Sequence, residues 1–237
     1  MEKIPENGPK HIAIILDGNR RWARKNGLPV SAGHKAGGDN LLKIIDYAYE
    51  IGLKYLTVYA FSTENWKREE KEVNAIMNLL YNLTKKEIKR KDKRNICIKV
   101  YGDKSILNSK IKENLSILEE NTRNRNGLTV GLCFNYGGRQ EIVNSVKEIA
   151  KLIKEDVIDI ENIDEKLIEK YLYTSGIPDP DLVIRTSEEY RLSNFLPWQS
   201  TYSELYFPKD VYWPDFSTER LDEAIYEYIN RNRRYGK

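Results

Sequence analysis

The amino-acid sequence predicts an α/β fold in a single domain, residues 1–237, with a mainly parallel six-stranded sheet flanked by helices. Strand-like and helix-like segments alternate from one end of the chain to the other. The strand-like segments are short, nearly continuous apolar runs, which is typical of strands covered on both faces. No linker, internal repeat or low-complexity segment interrupts the alternation. This order of segments favours a parallel sheet between layers of helices.

Six segments are predicted to be strands, because apolar and β-branched residues dominate each of them. In chain order they are residues 12–16, 55–61, 96–101, 128–134, 182–185 and a short one near 205–207.

The segments between these strands carry apolar residues at helical spacing. In residues 39–51, for example, Leu41, Ile44 and Ala48 recur on one face, and Gly52 follows where a helix C-cap favours glycine. The predicted helices are residues 39–51, 70–89, 108–120, 140–154, 164–172 and 219–235.

Composition and charge narrow the classes of function. Charged residues make up 32% and hydrophobic residues 40% of the chain, as in ordinary globular proteins. A net charge of +3 is too small to indicate nucleic-acid binding, and no recognition module is present. The basic run 85–94 is interpreted as the solvated end of a helix. We therefore expect no nucleic-acid partner.

Several features favour a cytoplasmic location. Residues 1–10 are polar, are predicted to be a flexible N-terminus, and lack the apolar core of a signal peptide. No apolar run approaches the roughly 20 residues that span a bilayer. Cys97 and Cys133 fall in strand-like segments and are expected to be buried, reduced thiols. Any membrane contact is therefore expected to be peripheral.

Polar clusters follow several predicted strands at the point where each strand ends. The first strand ends in Asp17-Gly18-Asn19 and two arginines, residues 62–68 follow the second strand, and residues 185–187 follow the fifth. The carboxyl ends of parallel strands meet at one edge of a sheet, where open α/β sheets bind ligands. Arginines suit phosphate oxygens and a carboxylate suits a metal ion, so these clusters indicate chemistry on a diphosphate. A plain strand followed by a helix capped by Asp17 or Asn19 stays open as the alternative.

Three further positions have a functional and a structural interpretation. His34 lies in AGHKAGG at a predicted helix start, where the helix dipole favours anions, but it fits a structural role equally well. The turn at residues 135–139 either faces the same crevice or is only a tight turn with glycines. Glu204 stands among apolar and aromatic neighbours and needs a cation or metal as partner.

Five blocks, in this order and spanning about residues 11–234, resemble those of the cis-prenyltransferases, most closely the bacterial undecaprenyl diphosphate synthase type. The blocks are DGNRRWA, GHKAG, YAFSTENWKR, NYGGR and RTSEEYRLSNFLPWQSTYSELYF. Nucleotide phosphate loops and the aspartate-rich run of trans-type isoprenoid synthases are missing from the sequence.

The resemblance implies an undecaprenyl diphosphate synthase-like sheet, a homodimer, and a hydrophobic tunnel for the growing chain. It also implies repeated cis head-to-tail condensation of isopentenyl diphosphate with an allylic diphosphate, such as farnesyl diphosphate. The implied product is a long polyprenyl diphosphate of undecaprenyl type, the lipid-carrier precursor for cell-wall polysaccharides. The apolar faces of residues 41–51 and 73–88 are the candidates for the tunnel, although ordinary core packing explains the same pattern.

The resemblance assigns a role to each matched residue. Asp17 matches the essential carboxylate near Mg²⁺ and the leaving diphosphate, and Asn65 matches a proposed proton-transfer position. Glu204 matches a second magnesium ligand that reaches in from the dimer partner. The other matches bind substrate: Gly18, Asn19, Arg20, Arg21 and Trp22 at the allylic diphosphate, His34 and Arg68 at further diphosphate-site positions, Ser62, Thr63, Glu64 and Trp66 in a mobile loop, Arg185, Arg191 and Ser193 at isopentenyl diphosphate, and Leu192 beside them.

The sequence departs from the family pattern at three positions. Val30 replaces a frequent arginine, so one phosphate contact is expected to be absent or replaced. Glu188 replaces a glycine near an anion site, and Glu69 replaces a proline after the NWKR block. Two other functions stay open on the residues alone: a metal-dependent phosphohydrolase that uses Asp17, and a non-catalytic subunit of prenyltransferase type.

Overall fold

The computed structural model describes residues 1–90 and 94–231 of the chain. The strands of the described part are β1 (His11–Ile15), β2 (Tyr55–Ser62), β3 (Ile96–Tyr101), β4 (Leu128–Tyr136), β5 (Leu182–Arg185) and β6 (Glu204–Tyr206). Its α-helices are α1 (Asn19–Lys25), α2 (Val30–Glu50), α3 (Glu70–Ile88), α4 (Ser109–Thr122), α5 (Gly138–Lys154), α6 (Glu165–Tyr171) and α7 (Thr218–Asn230).

The six strands form one sheet in the order β3-β4-β2-β1-β5-β6, and every neighbouring pair is parallel. The prediction of a parallel six-stranded sheet flanked by helices is confirmed, and each predicted strand agrees with the structure to within two residues at either end. Strand β1 lies between β2 and β5, and residue Ile15 pairs with Tyr59 on one side and Arg185 on the other. The carboxyl ends of these three strands therefore lie side by side.

Both faces of the sheet are buried, as the apolar runs predicted. In β1, Ile12 and Ile14 pack with α2 and α7 in one hydrophobic cluster, while Ala13 and Ile15 pack with Tyr59 on the opposite face. A further cluster joins α3 and α4 to β2, β3 and β4. Successive side chains of a strand point to opposite faces, so a continuous apolar run covers both of them.

Helix α2 begins nine residues earlier than the predicted start at residue 39. Its first two turns contain Gly33 and Gly37, which lower helix propensity, and for this reason the sequence did not predict the start at Val30. A Cβ atom on Gly33 would lie 2.1 Å from the carbonyl oxygen of Asn19, and one on Gly37 would lie 2.2 Å from Asn19 Oδ1. These two glycines let α1 pack closely against α2. At the other end Gly52 has φ +81°, as predicted for the residue after the C-cap.

The remaining predicted helices match the structure closely. Helix α7 ends at Asn230, and the predicted continuation over residues 232–235 lies outside the described residues. The same holds for residues 91–93 of the basic run that follows α3. Within the described ranges no helix is long and apolar enough to cross a membrane. Cys97 and Cys133 are both buried free thiols, as predicted.

The N-terminal segment contacts two helices. The amino group of Met1 donates hydrogen bonds to Tyr47 and Asp222, and the backbone N–H of Ile4 donates to the carbonyl of Ile51. Its predicted flexibility stays a prediction.

Candidate active site

A polar cleft of about 530 Å³ opens at the carboxyl ends of β1, β2 and β5. Nine of the residues predicted from the sequence line it and therefore lie together at one edge of the sheet. They are Asp17, Asn19, His34, Ser62, Glu64, Asn65, Arg68, Arg185 and Ser193.

Asp17 lines this cleft and contacts two arginines. Its Oδ2 atom accepts a hydrogen bond of 2.9 Å from Arg185 Nη2, and its Oδ1 atom lies 3.2 Å from Arg21 Nη2. The Asp17 side chain is 27% exposed, whereas that of Arg185 is 6% exposed. The Asp17 carboxylate is therefore accessible from the cleft, whereas the guanidinium of Arg185 is buried.

Arg185 is fixed by further bonds from the loop that follows β5. Its Nη1 group donates to Ser193 Oγ at 2.7 Å and to the carbonyl of Arg191. Its Nε atom is buried and has no hydrogen-bond partner. This loop holds several residues in the left-handed region, including Ser187, Glu188 and Ser193. Glu188 thus adopts the conformation that favours the glycine it replaces, and its side chain is exposed.

The turn after β1 is fixed by hydrogen bonds that the backbone carbonyl of Asp17 accepts from other segments. The carbonyl of Asp17 accepts hydrogen bonds from the Thr186 and Ser187 hydroxyls and from the backbone N–H of Trp213. Gly18 has φ +107°, and a Cβ atom there would lie 2.1 Å from Ser187 Oγ, so the turn requires glycine. Gly18 is the N-cap of α1, and no side chain caps this helix. The interpretation of Asp17 or Asn19 as a helix cap is therefore wrong.

A second group of cations surrounds Glu72, and we call Glu72, His34, Arg68 and Arg20 the Glu72 cluster. Glu72 Oε1 accepts a hydrogen bond of 2.9 Å from Arg68 Nη1 and lies 3.0 Å from His34 Nε2. Arg20 Nε is 3.6 Å from Glu72 Oε2. The sequence reasoning missed Glu72, although its i,i+4 spacing from Arg68 at the start of α3 was a usable signal.

His34 belongs to the second turn of α2, not to its first turn, because the helix begins at Val30. The argument from the helix dipole therefore does not apply to it. Burial lowers the pKa of His34, and the neighbouring guanidinium groups of Arg68 and Arg20 lower it further, while Glu72 raises it. The net direction is downward, which favours a neutral imidazole at neutral pH.

Residues 62–68 cover the cleft as a short 3₁₀ turn over Thr63–Lys67. Asn65 Oδ1 accepts the backbone N–H of Ser62 at 3.2 Å, so its side chain closes this turn. Burial raises the pKa of Glu64, but hydrogen bonds from its own backbone N–H, Asn194, Ser62 and Thr63 outweigh it and lower the pKa. Trp66 Nε1 donates to Asn135 Oδ1 at 2.8 Å, and thus ties the turn to the one that follows β4.

Four other predicted substrate residues, Arg21, Trp22, Arg191 and Leu192, do not line this cleft. Arg21 donates to Glu189 Oε1 at 3.0 Å, and Arg191, 62% exposed, pairs with the other oxygen of the same carboxylate. Trp22 Nε1 donates to Asp215 Oδ1 at 2.7 Å, on the outer side of α1. Leu192 is partly buried against the hydrophobic cluster on the face of Ile15.

Glu204 is not part of this cleft in the same chain. It pairs in register with Leu182, which in turn pairs with Ile12 at the opposite end of β1 from Asp17. Ile12 lies three strand residues, about 10 Å at about 3.3 Å per residue, before Ile15, the last residue of β1, and Asp17 lies beyond that end. Arg231 Nη1 donates to Glu204 Oε2 at 2.8 Å, so its carboxylate has the cationic partner that the sequence required.

The side chains of the cleft fit a metal ion only if the substrate supplies further ligands. In the described part of the chain no cluster of three or more acidic, His or Cys side chains is suited to a metal. Asp17 and Glu64 line the cleft with carboxylates, and Glu64 accepts a hydrogen bond from Asn194. Mg²⁺ is often bound through one or two carboxylates together with substrate phosphates and waters. Asp17 therefore fits a Mg²⁺ ion whose other ligands come from a diphosphate.

An apolar cavity of about 140 Å³ continues from the polar cleft into the protein. The two share the lining residues Leu16, Asn19, His34, Ala60 and Ile76. Side chains of α2, α3 and the sheet line the cavity, among them Leu41, Ile45, Leu80, Leu83, Val130 and Leu132. Cations gathered above an apolar cavity suit an amphiphilic ligand with an anionic head.

Comparison with known proteins agrees with this class of ligand. The family model described as "Putative undecaprenyl diphosphate synthase" matches residues 15–236. An isoprenyl transferase of Clostridium tetani is 48% identical over 98% of this chain and 90% of its own length. A tritrans,polycis-undecaprenyl-diphosphate synthase (geranylgeranyl-diphosphate specific) of Thermoplasma acidophilum is 44% identical over 100% of this chain and 92% of its own length.

Solved structures agree as well. The lavandulyl diphosphate synthase of Lavandula x intermedia, in complex with dimethylallyl diphosphate, superposes with a TM-score of 0.94 at 34% identity, and the match covers 98% of this chain and all of that one. A probable undecaprenyl diphosphate synthase of Campylobacter jejuni gives a TM-score of 0.78 at 31% identity, over 97% and 99% of the two chains. The chain belongs to the undecaprenyl diphosphate synthase family, the cis-prenyltransferases.

Proposed function

We propose that the protein condenses isopentenyl diphosphate repeatedly with an allylic diphosphate, with farnesyl diphosphate as primer, to give a long polyprenyl diphosphate of undecaprenyl length. The observation that carries this proposal is the continuity of the cationic cleft with the apolar cavity. A prenyl diphosphate has the matching shape, an anionic head and an apolar chain. A product of this kind would serve as precursor of the lipid carrier for cell-wall polysaccharides.

The allylic diphosphate would bind between Asp17 and the Glu72 cluster, and isopentenyl diphosphate at Arg185, Arg191 and Ser193. During reaction the allylic carbon–oxygen bond breaks, a carbon–carbon bond forms to isopentenyl diphosphate, and a proton leaves the new chain. The departing diphosphate gains negative charge, which the arginines stabilise in a partly dehydrated cleft. Asn65 lies in the cleft and would orient the proton acceptor, for which the departing diphosphate is available.

We propose that Mg²⁺ is required and is held by Asp17 and the diphosphate oxygens. When bound, it would supply electrophilic stabilisation of the leaving diphosphate. Glu204 would join this site only from a second copy of the chain, because its own Asp17 is too distant in register. The proposal therefore includes a homodimer.

The growing chain would occupy the apolar cavity. Each isoprene unit adds five carbons, which is about 4 kcal/mol of transfer free energy at about 0.8 kcal/mol per buried carbon. A long product is therefore poorly soluble in water, and we propose a cytoplasmic enzyme that releases it at a membrane surface by peripheral contact.

The test is incubation of the purified protein with Mg²⁺, labelled isopentenyl diphosphate and one of three primers: dimethylallyl, farnesyl or geranylgeranyl diphosphate. We expect labelled long-chain products with farnesyl diphosphate, identified by mass spectrometry, and no products after chelation of Mg²⁺. Failure to extend any of the primers would refute the proposal. Release of phosphate from simple esters would instead favour a phosphohydrolase.

The dimer is tested by mixing two inactive variants, Asp17→Ala and Glu204→Gln. If Glu204 completes the partner's site, a mixed dimer holds one intact site, and mixing restores activity that neither variant has alone. Absence of restored activity, together with subunit exchange demonstrated by differently tagged chains, would contradict a shared site.

A further inference from the structure

Glu72 is the acidic residue of the candidate site to which neither the sequence blocks nor the family resemblance assigned a role. Its side chain is only 8% exposed, although it carries a carboxylate. A charge of this kind is buried at a cost unless it has partners, and Glu72 has them on two helices and on the segment before α3. Its partners Arg20, His34 and Arg68 belong to α1, to α2 and to the residue pair that precedes α3.

The position of Glu72 differs from that of its partners. His34 and Arg68 line the polar cleft, whereas Glu72 does not. The carboxylate therefore contacts these two side chains from outside the cleft lining. A guanidinium group has five N–H donors, and the hydrogen bond to Glu72 uses one of those of Arg68. The contact with Glu72 Oε1 places the single N–H of a neutral His34 on Nε2, so the ring is fixed and its Nδ1 is an acceptor.

We propose that Glu72 is a positioning residue for the allylic diphosphate: it fixes Arg68 so that the remaining N–H groups of this guanidinium face the diphosphate, and it holds the His34 ring in place beside Arg68. This inference rests on the proposed function, because it concerns the same site. The role depends on one atom, since both Arg68 Nη1 and His34 Nε2 bind Glu72 Oε1. Arg20 is the outer partner, 43% exposed and 3.6 Å from Oε2.

Because two nitrogen atoms contact the single atom Oε1, substitutions that keep or remove this oxygen test the role. In Glu72→Gln the amide oxygen can take the place of Oε1 and keep both hydrogen bonds, while the charge is lost. In Glu72→Asp the charge is kept, but the side chain is one methylene too short to reach both partners. Glu72→Ala loses charge and bonds together. The control is Glu70→Ala, which removes an exposed acid from the same first turn of α3.

The experiment measures KM for farnesyl diphosphate, KM for isopentenyl diphosphate and kcat for the full-length variants, with binding of farnesyl diphosphate alone by calorimetry. We expect Glu72→Ala and Glu72→Asp to raise KM and Kd for farnesyl diphosphate about tenfold, the effect of one lost charge-assisted hydrogen bond. Glu72→Gln is expected to stay within about threefold of the wild type, which is less than one such bond. Glu70→Ala and the KM for isopentenyl diphosphate are expected to be unchanged.

Two results would overturn the inference. One is an unchanged affinity for farnesyl diphosphate in both Glu72→Ala and Glu72→Asp. The other is the reverse order, with Glu72→Gln impaired and Glu72→Asp normal, which would show that charge and not placement matters. If Glu72→Ala does not fold, the order of the Gln and Asp variants decides alone. Failure of the proposed function is distinguished by the wild type, which would then bind farnesyl diphosphate without extending it.

Discussion

Replacement of Asp17 tests both the stability and the chemistry of the site. Its carboxylate bridges Arg185, whose side chain is 6% exposed, and Arg21, whose side chain is 37% exposed. A hydrogen bond between charged groups contributes about 1.5–3 kcal/mol when it is shielded from water. The exposed contact to Arg21 contributes at most about 1 kcal/mol. The stability effect is therefore determined mainly by the bond to Arg185.

The Asn and Ala variants separate these contributions. Asp17→Asn keeps one acceptor oxygen for Arg185, so we expect the free energy of unfolding to fall by about 1 kcal/mol. Asp17→Ala leaves the buried guanidinium without its carboxylate, and we expect a loss of about 2–3 kcal/mol. At about 2–4 °C per kcal/mol for a chain of this size, Tm falls by about 2–4 °C for Asn and about 4–12 °C for Ala.

Turnover is expected to respond differently from stability. Both variants lose the anionic oxygen that faces the cleft, so we expect each to lower kcat at least about 100-fold. The measurements are thermal unfolding by circular dichroism and initial rates of isopentenyl diphosphate incorporation at temperatures where all variants are folded. An Asn variant that keeps more than about a tenth of the wild-type rate would refute the chemical role. An Ala variant with the wild-type Tm would refute the stabilising one.

Three other predictions concern different parts of the molecule. Arg185→Lys replaces a guanidinium that donates to both Asp17 and Ser193 by a single ammonium group. We expect kcat/KM for isopentenyl diphosphate to fall at least about tenfold. An unchanged dependence of the initial rate on the concentration of isopentenyl diphosphate would contradict this. Ala60→Phe fills the junction between cleft and cavity, so products analysed by mass spectrometry should become shorter while farnesyl diphosphate still binds. Burial lowers the pKa of His11 to about 4, below its value of 6.5 in an unfolded chain. As pH falls through 6.5 the unfolded state gains a proton that the folded state does not, so urea denaturation should show about 2 kcal/mol less stability at pH 5 than at pH 7. His11→Gln should reduce this slope, and an identical slope would exclude His11 as its source.

The sheet was predictable because its signal is local. Apolar runs such as residues 12–16 and 128–134 contain few polar residues, and strands that are buried on both faces require such runs. The start of α2 was not predictable, because Gly33 and Gly37 oppose helix formation in the isolated segment. Their function appears only when α1 packs against them, where any Cβ atom would collide with Asn19. Tertiary contact thus determines the conformation of this segment.

The sequence predicted which residues of the candidate site lie close together, but it did not predict which of them form hydrogen bonds with each other. Parallel strands bring Asp17 and Arg185 to one edge, and sequence order alone implies this once the sheet is assumed. The orientation of Arg185 toward Asp17 depends on its hydrogen bond to Ser193, a residue with positive φ. No local sequence pattern predicts this conformation. Glu72 was missed for a related reason. An acid in the first turn of a helix is ordinarily explained by the helix dipole, so its burial among cations becomes visible only in three dimensions.

The carboxylates of Asp17 and Glu72 both reduce the repulsion between neighbouring cations. A site for a multiply charged anion must hold several cations close together before the anion arrives, and like charges in a partly buried cleft repel one another. Asp17 offsets this repulsion for Arg185 and Arg21, and Glu72 does so for Arg68 and Arg20. Glu189 also pairs with Arg21 and with Arg191, so the first group has three arginines for two carboxylates and the second has two for one, and positive charge remains for the ligand in each. A diphosphate therefore adds to existing ion pairs and does not have to break them. The geometry of the arginines is fixed in advance, and less ordering free energy is lost when the ligand binds.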